Sequence, residues 1–167
     1  MNARTLFDFH AYLQGLTAKN RLARSRRYHF CTCSGVGYLE ELLAQMRQHS
    51  AFVCLSDVSE DSVRQVGGGW FKRRTFTAFI LRRYDTRSMT AYREAIDEAR
   101  ELFRQLHSRF IRDEADIQNE LAYLRTDDVR SRELGGQFLN GCTGLYFMLN
   151  IDEPIDLRYD AEEWDEA

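Results

Sequence analysis

The chain has 167 residues, of which 44% are hydrophobic and 29% charged, and its formal net charge is −3. A chain of this length can bury one sizeable core, and this apolar fraction excludes general disorder. No apolar run approaches the roughly 20 residues that a membrane-spanning helix needs, and the first residues lack the apolar stretch of a signal peptide. We therefore expect one cytosolic domain over residues 1–167, with its four cysteines reduced.

The charges are unevenly distributed along the chain. Residues 1–112 contain 19 Lys or Arg and 11 Asp or Glu, a net charge of +8, whereas residues 113–167 have a net charge of −11. Eight of the acids lie from Asp152 onward, so residues 152–167 are predicted to form an acidic C-terminal tail. This division indicates either charge pairing within one chain or head-to-tail pairing between copies.

The N-terminal third predicts two helices and two strands. Apolar residues at spacings of three and four mark one face of a first helix: Leu6, Phe9, Leu13 and Leu16. Residues 28–33 alternate as a strand does, and residues 51–55 form a short apolar run typical of a buried strand. Between them, a second helix is predicted from Val36, Leu39, Leu43 and Met46.

The middle of the chain predicts a loop, a long strand and a long helix. The polar segment from Ser56 to Gly69 ends in three glycines, which favours a flexible loop, and residues 70–84 read as the longest strand. The helix that follows, with Ser88 or Thr86 as a candidate N-cap, has one continuous apolar stripe of about seven turns. The stripe consists of Met89, Tyr92, Ile96, Ala99, Phe103, Leu106 and Phe110.

The C-terminal third predicts strands at residues 121–125, 129–134 and 145–151, with turns at Gly135-Gly136 and Asn140-Gly141. Pro154 is expected to close the last of these strands. Together, the elements predict an α+β fold. It should contain a mixed or antiparallel sheet of about five strands, with one long helix and two shorter helices packed on it.

One strand carries residues that could bind a metal. His29, Cys31 and Cys33 occupy alternate positions, so all three point to one face, and Cys54 or Cys142 could supply a fourth ligand. A half-buried strand face of small residues has the same pattern, and zinc sites usually take ligand pairs from tight turns. A small-ligand or metal-binding module, with or without catalysis, is the alternative function that this strand leaves open.

The other chemical motifs are incomplete. Gly136 and Gly141 have the spacing of a phosphate-binding loop, but Cys142 stands where that loop needs a lysine. Cys31 and His29 could meet as thiolate and imidazole, yet nothing in the sequence marks a third group to orient the base. We therefore predict no catalytic residue, no cofactor and no enzymatic activity.

Two basic stretches could contact nucleic acid. Residues 21–27 contain four arginines, and residues 72–74 are Lys-Arg-Arg directly after Trp70 and Phe71. Basic residues beside aromatic ones can bind single strands. A basic loop and a strand end have the same composition, and because the whole chain is acidic, nucleic-acid binding is the weaker interpretation.

Several segments give the chain a resemblance to a known family. They are Gly67-Gly68-Gly69-Trp70 before a long strand, the helix from Met89, Arg132-Glu133-Leu134, Asn140-Gly141-Cys142-Thr143-Gly144, and Leu145-Tyr146-Phe147-Met148. Over roughly residues 50–155 the chain resembles the tail-terminator and minor tail proteins of long-tailed phages and prophages. The resemblance implies a structural subunit that forms rings, typically hexamers, and docks to tail-tube or head–tail proteins within a virion.

Subunits of such a ring need two different surfaces that complement each other. From charge and loop composition, we expect the interface to include the loop from Ser59 to Gly69 and the acidic tail. The candidate interface residues are Gly67, Gly68, Gly69, Arg73, Arg74, Asp160, Glu162 and Glu163.

Overall fold

The structure, a computed structural model, describes residues 6–138 and 141–165. It is an α+β fold, as predicted, in which helices cover both faces of a mixed sheet. The helices are α1 (Phe9–Lys19), α2 (Arg21–Ser25), α3 (Gly35–Gln45) and α4 (Met89–Asn119). The strands are β1 (Tyr28–Cys33), β2 (Ala51–Ser56), β3 (Glu60–Val66), β4 (Gly69–Arg83), β5 (Tyr123–Leu124), β6 (Arg130–Phe138) and β7 (Cys142–Ile155).

The two longest strands, β4 and β7, form the centre of the sheet. The order is β1-β2-β4-β7-β5, with β3 also paired to β4 and β6 also paired to β7. The β1–β2 pair is parallel and the other pairs are antiparallel. The predicted count of about five strands was low, and β3 is the strand that the sequence analysis missed.

Helices α1 and α4 pack on one face of the sheet, and α3 packs on the other. The first core includes Phe9, Leu106, Phe110 and Phe147, and the second includes Leu39 and Leu43 with all four cysteines. Since side chains alternate between the faces of a strand, β2, β4 and β7 contribute to both cores. This explains the burial of every residue of β2.

The long helix begins where the sequence indicates but extends further. Ser88 is its N-cap, and its hydroxyl accepts a hydrogen bond from the Ala91 N–H. Four stripe residues are buried: Ile96, Ala99, Leu106 and Phe110. Met89 is largely exposed, because it lies at the start of the helix beyond the covered part of the sheet. Val36, predicted to lie on the apolar face of α3, is also exposed because it lies at the start of its helix.

Most of the predicted loop from Ser56 to Gly69 is instead the first strand and the turn of a β-hairpin, so the prediction of a flexible loop was wrong. β3 pairs with β4 from Glu60↔Thr75 to Val66↔Gly69. Gly67 and Gly68 both have positive φ values, as a two-residue hairpin turn requires. Periodicity missed β3 because every one of its residues is exposed, so no face of the strand is marked by apolar residues.

The predicted boundaries near the C-terminus also need correction. Gly135 and Gly136 lie within β6, and β7 continues past Pro154 to Ile155. Asp152 and Glu153 are therefore not in a tail but buried in a central strand. The acidic tail begins at residue 156, and its residues 166 and 167 lie outside the described residues, as does Asn140.

Candidate interaction surface

The sheet extends beyond its helices as a projecting hairpin. We call β3 together with residues 69–75 of β4 the hairpin arm. It is paired on one side with residues 150–155 of β7, while the outer edge of β3 pairs with no strand in the described part of the chain. An edge strand of this kind presents free backbone N–H and C=O groups to a partner.

Two arginines fix one face of the arm to β7 through Asp152. The Arg73 guanidinium donates to both carboxylate oxygens of Asp152, at 2.7 and 2.8 Å, and Arg64 of β3 donates to the same group at 2.6 Å. Burial pushes the pKa of Asp152 up. The hydrogen bond and positive charge of Arg73, with the charges of Arg64 and Arg125, outweigh that effect and hold this pKa below its usual value. The carboxylate is ionised and joins three strands.

The opposite face of the arm is fixed through Glu153. Arg74 donates to its carboxylate at 2.9 Å and 2.5 Å, and also to the carbonyl oxygen of Phe7 at 2.8 Å. The Phe7 N–H donates back to Glu153 at 2.6 Å. This second site therefore joins the arm to the segment that precedes α1.

The two arginines among the predicted interface residues thus have partners within the chain. Adjacent residues of a strand point to opposite faces, so Arg73 and Arg74 reach different carboxylates. Part of the uneven charge seen in the sequence is therefore neutralised within one chain, by ion pairs between β4 and β7. The sequence analysis missed Asp152 and Glu153 as the partners because it assigned both to the tail.

Apolar side chains of the arm face solvent. Val63 is 50% exposed, and Val66 and Trp70 are similarly open. Val63 lies opposite Lys72 and Trp70 lies opposite Gln65, which puts both on the face that α1 and α4 cover further along the sheet. The predicted glycines form the tip of the arm, so the turn and these side chains are its most accessible part.

The acidic tail leaves the sheet beside the tip of the arm, where Ile155 pairs with Trp70. Arg158 pairs with Asp156, and Asp160 caps a short 3₁₀ helix over Ala161–Glu163 by accepting from the Glu162 N–H. Glu162 and Glu163 are exposed and have no ion-pair partner among residues 6–138 and 141–165. The rings of Tyr159 and Trp164 stack at 6.5 Å. The tail therefore combines unpaired acids with an exposed aromatic pair.

The basic stretch at residues 21–27 lies on α2 and the turn into β1. Arg26 pairs with Glu98 of α4, whereas Arg21, Arg24 and Arg27 are exposed and form no ion pair within the described ranges. Arg27 has a positive φ of 56°, which ends α2 and turns the chain into the sheet. The other basic stretch, Lys72 to Arg74, is neutralised by acids of β3 and β7.

The candidate metal ligands share one face, as their spacing predicts, but they do not converge as a ligand set. Cys31 lies directly opposite Cys54, and all four thiols are buried beneath α3. The His29 ring instead stacks on His49 with centroids 4.0 Å apart. Among the described residues, no group of three or more His, Cys, Asp or Glu side chains is arranged to hold a metal ion.

Three of the four buried thiols have shifted pKa values: those of Cys33, Cys54 and Cys142. Hydrogen bonds with Cys31 and Cys33, together with burial, raise the pKa of Cys54, and burial raises the pKa of Cys142. The hydrogen bond from Cys54 lowers the pKa of Cys33 despite its burial. Burial and the neighbouring His49 lower the pKa of His29.

Comparisons with protein-family models and with curated proteins each found no match. None of the helices in the described ranges has the length and apolar character needed to cross a bilayer.

Proposed function

We propose that this protein is a non-catalytic assembly subunit that associates with copies of itself and docks to a larger structure. The projecting hairpin arm is the observation that carries the proposal. Together with the resemblance of residues 50–155, it favours a phage tail-terminator or minor tail role, with ring-type association and contacts to tail-tube or head–tail proteins. Such a subunit would be made in the cytoplasm and incorporated into a virion.

The arm has the properties of a preorganised contact surface. Two buried carboxylates, each bound by arginine, fix it on both faces, although burying charges is costly and contributes little net stability. An arm that is already ordered loses less conformational entropy when a partner binds. Its exposed valines and Trp70 supply apolar area, and the free edge of β3 can pair with a strand of a neighbour.

A ring also requires that the surface which receives the arm differ from the arm itself. Contacts between unlike surfaces are heterologous, and they close into a ring when the rotation between neighbours allows it. The uneven charge of the chain supports such a pairing, because cations on α2 and acids in the tail have no partner within the described ranges.

The proposal is tested by measuring molar mass by light scattering over a wide range of protein concentration, with negative-stain microscopy of the largest species. We expect concentration-dependent association into one closed size. Val63→Asp in the arm should weaken association about tenfold or more, because it buries a charge at the contact. Val36→Asp is the matched control, since Val36 is 56% exposed and α3 packs on the sheet face opposite to the one that carries Val63.

Circular dichroism would establish that both variants fold. A parent protein that stays monomeric at every concentration, alone and with a tail-tube protein, would overturn the proposal. If Val63→Asp and Val36→Asp weaken association equally, association does not use the arm.

A further inference from the structure

A basic groove lies on the outer surface of the helical layer, between the end of α1 and the middle of α4. Leu16 and Leu106 form its apolar floor, and the side-chain amide of Asn20 donates to that of Gln105 across one end at 2.9 Å. Lys19, Arg109 and Arg112 complete the lining, around a volume of about 310 Å³. The groove therefore offers an apolar base with a cationic rim.

The cations of the groove are only partly neutralised. Arg109 pairs with Asp113 at 2.6 Å, and Arg112 approaches the same carboxylate only to 4.0 Å. Lys19 has no ion pair within residues 6–138 and 141–165. Glu101 accepts a hydrogen bond from Gln105 of the lining, but it is paired with Arg104. A net positive charge remains, and the exposed arginines of α2 extend it along the surface.

The acidic tail has the complementary composition. Glu162 and Glu163 lack ion-pair partners in the described part of the chain, and they lie in the segment between Tyr159 and Trp164, whose rings stack. Trp164 is 63% exposed, an unusual position for the largest apolar side chain of the chain. Aromatic anchors surrounded by charge are typical of the residues that dominate binding at interfaces.

We infer that the tail of one copy docks in the α1–α4 groove of a second copy, with Trp164 over the leucine floor and the glutamates against the cationic rim. This inference rests on the proposed self-association and specifies one of its contacts. Because tail and groove are different surfaces, the contact is heterologous and can repeat from subunit to subunit.

The groove is poorly placed for the tail of the same chain. The groove lies beside Phe110, whose ring contacts Phe147 of β7. The tail leaves β7 at Ile155, eight residues after Phe147. Eight strand residues span about 26 Å. Residues 156–164 would need to be almost fully extended to return, but the tail instead contains the Asp156–Arg158 pair and a 3₁₀ turn.

Two variants of the full chain separate the two surfaces. In the groove variant, Lys19→Glu and Arg112→Glu make the rim acidic. In the tail variant, Glu162→Gln, Glu163→Gln and Trp164→Ser remove the tail's two unpaired glutamates and its aromatic anchor. We expect each variant alone to be monomeric. Mixed together, they should form a one-to-one heterodimer and nothing larger, because only the intact tail and the intact groove can pair.

A charge-matched control places the same reversals elsewhere, as Arg47→Glu with Arg93→Glu, and should assemble like the parent. A fluorescent synthetic peptide of residues 155–165 provides a second measurement. It should bind the tail variant, whose groove is intact and unoccupied. Its affinity for the groove variant should be at least tenfold lower, and binding should weaken with added salt. Trp164→Ser in the peptide should reduce affinity about thirtyfold.

The outcomes distinguish the two proposals. If the parent assembles and both variants assemble equally well, the tail–groove contact is wrong and self-association stands. If the parent is monomeric but the peptide binds the groove, the contact stands and self-association is wrong. A mixture of variants that stays monomeric, with no peptide binding, overturns the inference outright.

Discussion

Removing Arg74 tests how the hairpin arm is held to the rest of the protein. In Arg74→Met, the side chain keeps much of its length but Glu153, only 2% exposed, loses its cation. The Phe7 N–H still donates to the carboxylate, so one hydrogen bond remains. Breaking a buried ion pair from one side typically costs about 3–5 kcal/mol, since an uncompensated charge stays in the interior.

That cost is large for a domain of this size. Domains are stable by about 5–15 kcal/mol, so the variant should lose a major part of its stability. A melting temperature lowered by roughly 6–20 °C is expected for a chain of this length. Urea unfolding followed by circular dichroism measures the free energy directly, and thermal unfolding checks its size.

A double variant identifies the cause of the loss. Arg74→Met with Glu153→Gln removes both charges but keeps an acceptor for the Phe7 N–H, so it should recover more than half of the lost free energy. Arg87→Met is the control, because Arg87 pairs with Asp85 on the surface and its side chain is 89% exposed. Its effect should stay below about 0.5 kcal/mol. A loss below about 1 kcal/mol for Arg74→Met would refute the reasoning.

Four further predictions concern Asp152, two glycines and the buried thiols. Asp152→Asn should lower the free energy of unfolding at pH 7. Because the pKa of Asp152 is depressed in the folded state, the difference between parent and variant should shrink as the pH falls below about 4. Urea unfolding at each pH measures that difference, and a constant value would contradict the prediction. Gly144→Ala should destabilise by at least about 2 kcal/mol, because its Cβ would lie 1.9 Å from the Ile80 carbonyl oxygen at a φ of +148°. Gly15→Ala, with open space around it in α1, should stabilise by about 0.5–1 kcal/mol in the same denaturation assay. The four buried thiols should react with a maleimide only after unfolding, and rapid labelling of the native protein would count against their burial.

Local patterns predicted much of the fold correctly. The apolar stripe and Ser88 located the start of α4, and alternation or apolar runs located β1, β2, β4 and the centre of β7. These elements bury one face or both, so burial itself imposes a period that is visible in the residues. β3 left no such signal. It forms because β4 extends past the end of β2 and leaves backbone groups that need a partner.

The candidate surface was likewise predictable only in part. Its charge asymmetry and the glycines of the hairpin turn were evident in the chain, as were the tail acids beyond β7. The pairing of Arg73 with Asp152 and of Arg74 with Glu153 was not, because these residues are 79 positions apart. No local pattern indicates which of many acids meets a given arginine when the register of two long strands decides it.

By itself, the sequence determined which segments could bury an apolar face and how charge is divided along the chain, because both depend on neighbouring residues. Only the tertiary structure decided which charges are neutralised inside and which remain at the surface. Strand register brought two acids of the presumed tail into the sheet, against two arginines expected at an interface. It left the later acids, the exposed aromatics and the cations of the helical layer facing solvent, because an ion pair forms only where folding brings both groups together.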